Sequence, residues 1–479
     1  MFLAYRTFIV FILKILTAGI NFSLQIVLAR CLGIDEYGEL VMFLTIANIC
    51  SVIPLLGMNT ALIREMASSN NMAYRKWIFH FSEKVLICLA ILSMIIWFFI
   101  SSKILFFYSV SVNTMIFIPI YFSFFALSTL ISGVFQGEQK NILNDSITTF
   151  LSAARIIWIY IEIYNGIERI IVIYIFIEVF GCIIKCIIAE NDYKRVSNIY
   201  IPKWEEKIKF LRYCVPLFFT SSIGILQTNL HRVIVFALLN NYSVGVVKVC
   251  ETYASALGLF IAPFVTFWPV MSKYYSEGKI HEIRNLFQQG SIIVTAFIMP
   301  AFIVMVSCNM ELIKLFNLNV SDSPEIGLVL CIFCLGVIYD AIIGPAGALL
   351  NMTKYSYITF YNSIGLLCCT VVFSFTFIPY TGILGAAIAA TLSHVVINTL
   401  NAYQNYHFFN IFPYGKYQIE LIALGFPIYF FLVLFDDYFN IGGWLHIIYA
   451  TSMSYFIYTI FYFLRYRKNV KMFNSIRFI

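Results

Sequence analysis

Three basic residues lie within long apolar stretches of the sequence, where charged side chains are unusual. They are Lys14, Arg155 and Arg232. A charge at the centre of a bilayer is unfavourable by roughly 2.5–3.5 kcal/mol on insertion scales, so such side chains usually face protein or a water-filled cavity. Guanidinium and ammonium groups bind phosphate oxygens through charge-assisted hydrogen bonds. The three residues therefore indicate a positively charged interior site suited to a phosphate-bearing ligand.

Polar residues accompany these cations at helical spacing. Asn21 and Gln25 fall on the same side of a helix as Lys14, because each residue advances about 100° around the axis. Three further stripes have this form, comprising Thr220, Gly224, Gln227 and His231, with Arg232 beside them; Thr148, Ser152, Arg155 and Glu162; and Thr391, His394, Asn398, Asn401 and Asn405. A single polar residue in a membrane helix is commonly a packing contact. Four stripes predict a polar cavity lined by these helices.

Acidic residues also interrupt the apolar stretches, at Glu178, Glu251 and Asp340. Glu251 and Asp340 have two interpretations. They either form ion pairs that fix two helices together, or they bind an H⁺ or Na⁺ whose gradient drives transport. The sequence leaves both interpretations open.

The sequence lacks the motifs of covalent or redox chemistry. It contains no phosphate-binding glycine loop, nucleophile motif or metal-ligand spacing. Ten of the twelve cysteines lie in apolar stretches, where cysteine acts as a small hydrophobic residue, and the Cys331–Cys334 pair has no second pair to complete a metal site. We therefore expect a transporter with no catalytic residues, no metal site and no bound cofactor.

The composition sets the environment of the chain. Apolar residues make up 61% of the 479 residues and charged residues 11%, whereas soluble domains carry roughly a quarter charged residues. Lipid must therefore surround most of the exterior, and the 18% of aromatic residues suits the belts found at membrane interfaces. The sequence predicts an all-α integral membrane protein.

A membrane-spanning helix needs about 20 mostly apolar residues, and fourteen stretches meet that requirement. The predicted spans are residues 7–29, 39–59, 81–101, 114–135, 145–165, 167–189, 211–238, 244–271, 287–308, 326–350, 356–378, 382–406, 416–436 and 442–465.

The distribution of lysine and arginine predicts the orientation. With the N-terminus in the cytoplasm, 23 of the 31 basic residues face the cytoplasm and 5 face the other side. Cytoplasmic loops of membrane proteins are enriched in basic residues, so both termini are expected in the cytoplasm and the chain in the bacterial inner membrane. The net charge of +7 then reflects topology and contact with anionic lipid, and nucleic acid is not an expected partner.

The spans divide into two sets of six. The predicted regions are an N-lobe (1–190), a cytoplasmic linker (191–212), a C-lobe (213–410), two additional helices (411–465) and a basic cytoplasmic tail (466–479). Gly133, Phe135 and Lys140 at the end of the fourth span have the same spacing as Gly347, Leu349 and Lys354 at the end of the tenth. Transporters are commonly built from such repeated halves, with the substrate site between them.

Several sequence segments, taken in order, resemble a known family. They are LARCLGIDEYGEL from Leu28, GMNTALIREMA from Gly57, YCVPLFFTSS from Tyr213, Pro263 and Pro269 before MSKYYSEGK, GALLNMTK from Gly347 and GILGAAIAATLSHVV from Gly382. Over roughly residues 1–410 the chain is similar to the polysaccharide-exporter branch of the multidrug/oligosaccharidyl-lipid/polysaccharide (MOP) superfamily.

This resemblance implies two six-helix lobes around a central cavity, with alternating access as the mechanism. It adds Arg30 and Arg64 to the candidate cations of the cavity or its gate. The family commonly has an aspartate before the arginine of the seventh helix, whereas this chain has His231 before Arg232. Ion coupling through that aspartate is therefore not implied here.

The expected function is a flippase for a polyprenyl-diphosphate-linked oligosaccharide, either an O-antigen repeat unit of lipopolysaccharide or a capsule repeat unit. The headgroup would move from the cytoplasmic to the periplasmic leaflet, driven by the membrane potential or by an H⁺ or Na⁺ gradient. A polysaccharide polymerase and a chain-length regulator are candidate partners.

Three other functions are compatible with parts of this pattern. A lipid II-type flippase shares the fold and a similar headgroup. A multidrug or cation antiporter of the same superfamily would need an acidic cavity, which the three embedded cations disfavour. A polyprenyl-sugar polymerase or ligase would need large periplasmic loops, and the predicted outer loops are short.

Overall fold

The computed structural model describes residues 2–69, 71–107, 112–162, 166–194, 196, 200–261, 268–318, 325–344, 346–351, 353–411, 415–439 and 443–466. The helices in these ranges are α1 (Phe2–Leu32), α2 (Ile34–Leu55), α3 (Met58–Ser68), α4 (Met72–Phe107), α5 (Val112–Gly137), α6 (Asn141–Glu162), α7 (Ile167–Tyr193), α8 (Trp204–Leu238), α9 (Asn241–Gly258), α10 (Trp268–Ser276), α11 (Ile280–Ser307), α12 (Asn309–Lys314), α13 (Glu325–Ile343), α14 (Ala346–Asn351), α15 (Ser356–Phe409), α16 (Lys416–Phe439) and α17 (Trp444–Tyr466). Most of the predicted basic tail and Pro263 lie outside the described residues.

Eleven helices of the described residues are long and apolar enough to cross a membrane. One of them, α15, covers both the eleventh and the twelfth predicted spans. The fifth and eighth predicted spans correspond to α6 and α9, which are helical but more polar: α6 carries Asp145, Arg155 and Glu162, and α9 carries Lys248 and Glu251. The helices thus occur where the fourteen spans were predicted.

Two predicted spans are interrupted by glycine. The second, 39–59, is wrong at its end because α2 stops at Leu55, and Leu56 and Gly57 adopt left-handed φ angles of 45° and 70°. The tenth, 326–350, breaks at Gly344, where φ is 76°. Glycine tolerates this backbone conformation without a Cβ clash, so each span continues as a short second helix, α3 or α14.

Two other boundaries differ from the prediction. The gap expected between the eleventh and twelfth spans is helical, and the chain bends instead at Gly382, with φ 59° and ψ −130°. The eighth predicted span, 244–271, is too long because α9 ends at Gly258 and α10 begins at Trp268.

The chain forms two compact units, residues 1–245 and 246–479. In the first unit α5 packs against α2, α3, α4 and α7, while α1 packs against α6. Its core contains fully buried Met66, Phe79, Phe135 and Tyr193. Together with the packing of α6 on α7 and of α8 on α2, these contacts position α1, α6 and α8, the helices that carry Lys14, Arg155 and Arg232.

In the second unit α11 packs against α13, α16 and α17, and α13 packs against α15. A core cluster there includes Met271, Phe287, Leu349 and Ile411. The arrangement joins the last two helices to the rest of this unit through α11.

The outward faces of the helices carry large apolar side chains. Phe98 and Phe99 are 76% and 70% exposed on α4, and Tyr160 and Ile161 are 72% and 69% exposed on α6. Soluble monomers rarely expose contiguous apolar patches of this kind. Lipid is the environment in which these faces are stable.

Candidate functional site

A buried ion pair between Arg155 and Glu178 joins α6 to α7 in the N-terminal unit. The Arg155 Nη2 lies 3.6 Å from the Glu178 Oε2, and the two side chains are only 17% and 13% exposed. The guanidinium carbon also lies 4.7 Å from the ring centroid of the buried Tyr174. Arg155 Nε is buried and has no hydrogen-bond partner among the described residues. Arg155 is thus held by an ion pair and an aromatic face and keeps one donor unused.

A second buried cation, Lys185, lies on α7. Lys185 is 6% exposed, and its Nζ donates hydrogen bonds to the Oγ atoms of Ser128 and Ser132 on α5, at 3.0 and 2.9 Å. An ammonium group has three donors, so the two serines leave one available. The structure encloses Lys185 between α7 and α5, where the two serines face it.

The third cation, Lys14, lies on α1. Its side chain is exposed and lies within electrostatic range of Asp145 on α6. One turn further, the hydroxyls of Thr17 and Thr149 are 2.7 Å apart and join the same two helices. The α1–α6 contact therefore brings a lysine and a carboxylate together in the unit that also holds Arg155.

The stripe on α8 surrounds Arg232. Its Nη1 donates to the Oδ1 of Asn229 at 3.1 Å, while the Asn229 Nδ2 donates to the backbone oxygen of Ile225 at 2.8 Å. His231 is buried, and Gln227 and Arg232 are half-buried. Asn229 orients the guanidinium and was absent from the predicted set.

The remaining predicted residues of this unit have different surroundings. The Tyr37 hydroxyl donates to Gln25 Oε1 at 2.6 Å, which ties α1 to α2. Arg64 is exposed on α3, with its guanidinium carbon 4.6 Å from the Tyr213 ring centroid of α8. Asn21 is half-buried, and Arg30 is exposed at the end of α1. Gln25 thus has a structural partner within its own unit.

The C-terminal unit contains the two acidic candidates. The Asn398 Nδ2 donates to the Asp340 Oδ1 at 2.9 Å, joining α15 to α13. Asn362 extends this network by donating to Asn401 Oδ1 at 2.7 Å. Glu251 is half-buried on α9. The Asp340 carboxylate thus lies at one end of a chain of amide side chains, because Asn401 donates in turn to Asn398 Oδ1 at 3.5 Å.

Other members of the α15 stripe contact backbone. Thr391 Oγ1 donates to the Ile332 oxygen at 2.9 Å, and Asn405 Nδ2 donates to the Ala346 oxygen at 2.9 Å. These bonds attach α15 to α13 and α14. In this half of the stripe, helix packing accounts for the polar side chains.

An apolar groove of about 460 Å³ opens on the C-terminal unit. Its lining includes Phe302 of α11, Leu335 and Tyr339 of α13, and Phe426 and Tyr429 of α16. The groove is suited to hydrocarbon and offers almost no polar atoms.

The sequence profile described as "Polysaccharide biosynthesis protein" matches residues 3–275, more than half of the chain. The chain belongs to the polysaccharide biosynthesis protein family. A capsular polysaccharide biosynthesis protein, CapF of Staphylococcus aureus, is 26% identical over 185 residues, which are 38% of this chain and 46% of that protein. The aligned region thus spans about half the length of that relative.

Solved structures identify the fold of this polysaccharide biosynthesis protein. It is similar to the lipid II flippase MurJ in an inward closed conformation, with a TM-score of 0.77, 13% identity and coverage of 96% of this chain and 99% of that one. It is also similar to an inward-facing MATE-family multidrug resistance transporter, with a TM-score of 0.66, 12% identity and coverage of 82% and 94%. The predicted fold class is confirmed: the chain is an all-helical, multi-pass membrane protein whose fold resembles those of MurJ and of the MATE-family transporter.

Several polar residues of this polysaccharide biosynthesis protein were not predicted as part of a site. Lys185 had a signal, since it is a lysine within the predicted span 167–189. Asn229 and Asn362 are single amides in apolar segments, and only their three-dimensional contacts reveal their roles.

Proposed function

We propose that this transporter is a flippase for a polyprenyl-diphosphate-linked oligosaccharide, an O-antigen or capsule repeat unit, and that it moves the headgroup from the cytoplasmic to the periplasmic leaflet of the inner membrane by alternating access. The family relationship supports a role in polysaccharide biosynthesis. The fold supports transport, since the structurally similar MurJ is named as a lipid II flippase.

The proposal of an anionic substrate rests on one observation, the excess of cations within the helices of the N-terminal unit. Lys14, Arg155 and Lys185 supply three positive charges, while Asp145 and Glu178, the acids that interact with them among the described residues, supply two negative charges.

The available donors suit a diphosphate. Arg155 on α6 and Lys185 on α7 each retain a donor with no partner among the described residues. The two helices pack against each other. Hydrogen bonds between cations and phosphate oxygens are about twice as strong as neutral ones. The amide groups on α8 around Arg232 would contribute polar partners for the sugar.

The membrane potential supplies a driving force for this direction. An interior-negative potential favours outward movement of an anion by about 2.3 kcal/mol per charge per 100 mV. An H⁺ or Na⁺ gradient acting through Asp340 or Glu251 would add to it. The isoprenoid tail would remain in lipid, where apolar surfaces such as the groove beside α16 are available.

A strain lacking this protein tests the function. Loss of surface polysaccharide, with the lipid-linked repeat unit accumulating on the cytoplasmic leaflet, is the expected result. Arrest of cell-wall synthesis with lipid II accumulation would instead assign the lipid II substrate. Drug hypersensitivity with normal surface glycan would assign the antiporter function and contradict the proposal.

A further inference from the structure

A buried histidine in the C-terminal unit lies between two carboxylates. His446 on α17 has its Nδ1 3.3 Å from the Glu311 Oε1 of α12 and 3.6 Å from the Asp436 Oδ1 of α16. One ligand atom of each residue lies within 4.8 Å of the other two. The cluster is remote in sequence from the polar stripes and plays no part in the proposed translocation site.

The contact between His446 and Glu311 is a long hydrogen bond at 3.3 Å, and the 3.6 Å separation from Asp436 is beyond hydrogen-bond distance. A charge-assisted N–H···O bond spans about 2.7–2.9 Å, which is shorter than either separation. Nitrogen and oxygen ligands of a tetrahedral zinc ion, bound at about 2.0–2.2 Å, lie roughly 3.3–3.5 Å from each other. The observed separations are close to the edges of such a coordination polyhedron.

The burial of the histidine and the unpaired polar atoms of the cluster point the same way. The His446 side chain is 4% exposed, the Glu311 side chain 16% and the Asp436 side chain 32%. Asp436 Oδ1, which faces the imidazole, is buried and has no hydrogen-bond partner among the described residues, and the same holds for His446 Nε2. Two carboxylates beside one imidazole leave excess negative charge that a divalent cation would balance.

We propose that Glu311, Asp436 and His446 form a binding site for a divalent transition-metal ion of the zinc class. One imidazole nitrogen and two carboxylate oxygens are ligands that Zn²⁺ accepts, and the imidazole favours it over Mg²⁺ or Ca²⁺. The ion would join α12 to the C-terminal pair α16 and α17. Its role would be to hold these two helices in place against the unit.

A second cluster of one histidine and two carboxylates, in the N-terminal unit, serves as a control for the proposed zinc site. His80 Nδ1 lies 3.5 Å from Glu83 Oε2 and 3.4 Å from Glu190 Oε1, but these side chains are 31%, 24% and 43% exposed. Water competes for exposed ligands of this kind, so the cluster around the buried His446 is expected to bind zinc more tightly than the cluster around His80.

The test uses the full chain in detergent after removal of metals with EDTA. Zinc affinity is measured by competition with a chromogenic chelator, and thermal unfolding is followed by tryptophan fluorescence with and without ZnCl₂. We expect zinc to raise the unfolding midpoint of the wild type, with Mg²⁺ having no comparable effect. His446→Ala should weaken zinc binding at least about tenfold, since even the loss of a residue that supports a ligand costs 10–100-fold.

Matched variants separate metal binding from folding. Glu311→Gln and Asp436→Asn keep the side-chain shape and should each weaken zinc binding, whereas His80→Ala should leave the tight site unchanged. If His446→Ala does not fold, these two isosteric variants decide the question. An unfolding midpoint of the wild type that does not respond to zinc, or tight binding lost in His80→Ala and retained in Glu311→Gln, would overturn the proposal.

Discussion

Arg155 and Glu178 face each other between α6 and α7, with the guanidinium nitrogen 3.6 Å from the carboxylate oxygen and both side chains largely buried. The separation exceeds that of a charge-assisted hydrogen bond, about 2.7–2.9 Å. The arginine is therefore neutralised in part and is still able to donate to a further acceptor. Variants that reverse or exchange the two charges distinguish a structural ion pair from a cation that binds the substrate.

Reversing the charge of Arg155 should abolish transport. Arg155→Glu places two carboxylates together and is expected to reduce flipping by at least about tenfold, because one charged hydrogen bond contributes roughly 1.5–3 kcal/mol. The double variant Arg155→Glu with Glu178→Arg restores the ion pair while moving the cation from α6 to α7. Flipping of lipid-linked oligosaccharide in proteoliposomes should stay low in the double variant although its thermal stability recovers. Recovery of transport would show that the pair is only structural.

Lys185 should contribute to transport more than to stability. Lys185→Met has a similar volume and removes a desolvated charge, a type of change that is often neutral or stabilising. Ser132→Ala keeps the ammonium but removes one acceptor, and should destabilise the protein by about 1–3 kcal/mol. Thermal unfolding and flipping are measured on both variants. A Lys185→Met protein that unfolds at much lower temperature but transports normally when folded would refute a role in substrate binding.

Gly133 is required for the close approach of α5 to α3. A Cβ at this position would lie 2.7 Å from the backbone oxygen of Asn59, so Gly133→Ala should destabilise the protein by about 1–3 kcal/mol through overpacking. Gly19→Ala on α1 is the matched control, because no heavy atom lies within 4 Å of a Cβ there. The control should be unchanged or stabilised by up to about 1 kcal/mol, since alanine favours helix. Equal midpoints for the two variants in thermal unfolding would contradict this packing.

Asp340 should connect transport to an ion gradient. Asp340→Asn removes the charge while retaining an oxygen that can accept from Asn398, so the network around it should persist. We expect flipping without a gradient to continue and its stimulation by an imposed Na⁺ or pH gradient to disappear. Glu251→Gln is the parallel variant. Full gradient response in Asp340→Asn, with loss in Glu251→Gln, would assign coupling to Glu251 instead.

The sequence alone located the helices well, because a long apolar run is a local feature of the sequence. The predicted spans 416–436 and 442–465 correspond to α16 (Lys416–Phe439) and α17 (Trp444–Tyr466). Length and apolar composition suffice for such segments. The breaks at Gly57 and Gly344 were missed, since a glycine in an apolar run does not show whether the chain turns there.

The candidate site was harder to predict from the sequence, because its contacts join distant parts of the chain. Lys185 meets Ser128 and Ser132, which lie 57 and 53 residues away, and His446 meets Glu311 at a separation of 135 residues. A periodic pattern reports which residues share a helix face and not what that face contacts. Burial of Lys185 and the zinc-type cluster therefore emerge only from the fold.

Flipping by the purified protein tests the central claim most directly. Proteoliposomes are loaded with a fluorescent polyprenyl-diphosphate oligosaccharide, and its arrival in the opposite leaflet is measured by accessibility to a glycosidase. We expect the wild type to translocate this lipid, and the Arg155→Glu protein, reconstituted in equal amount, to leave it in the starting leaflet. Wild-type protein that leaves the lipid-linked oligosaccharide in place while exchanging a cationic dye would contradict the account.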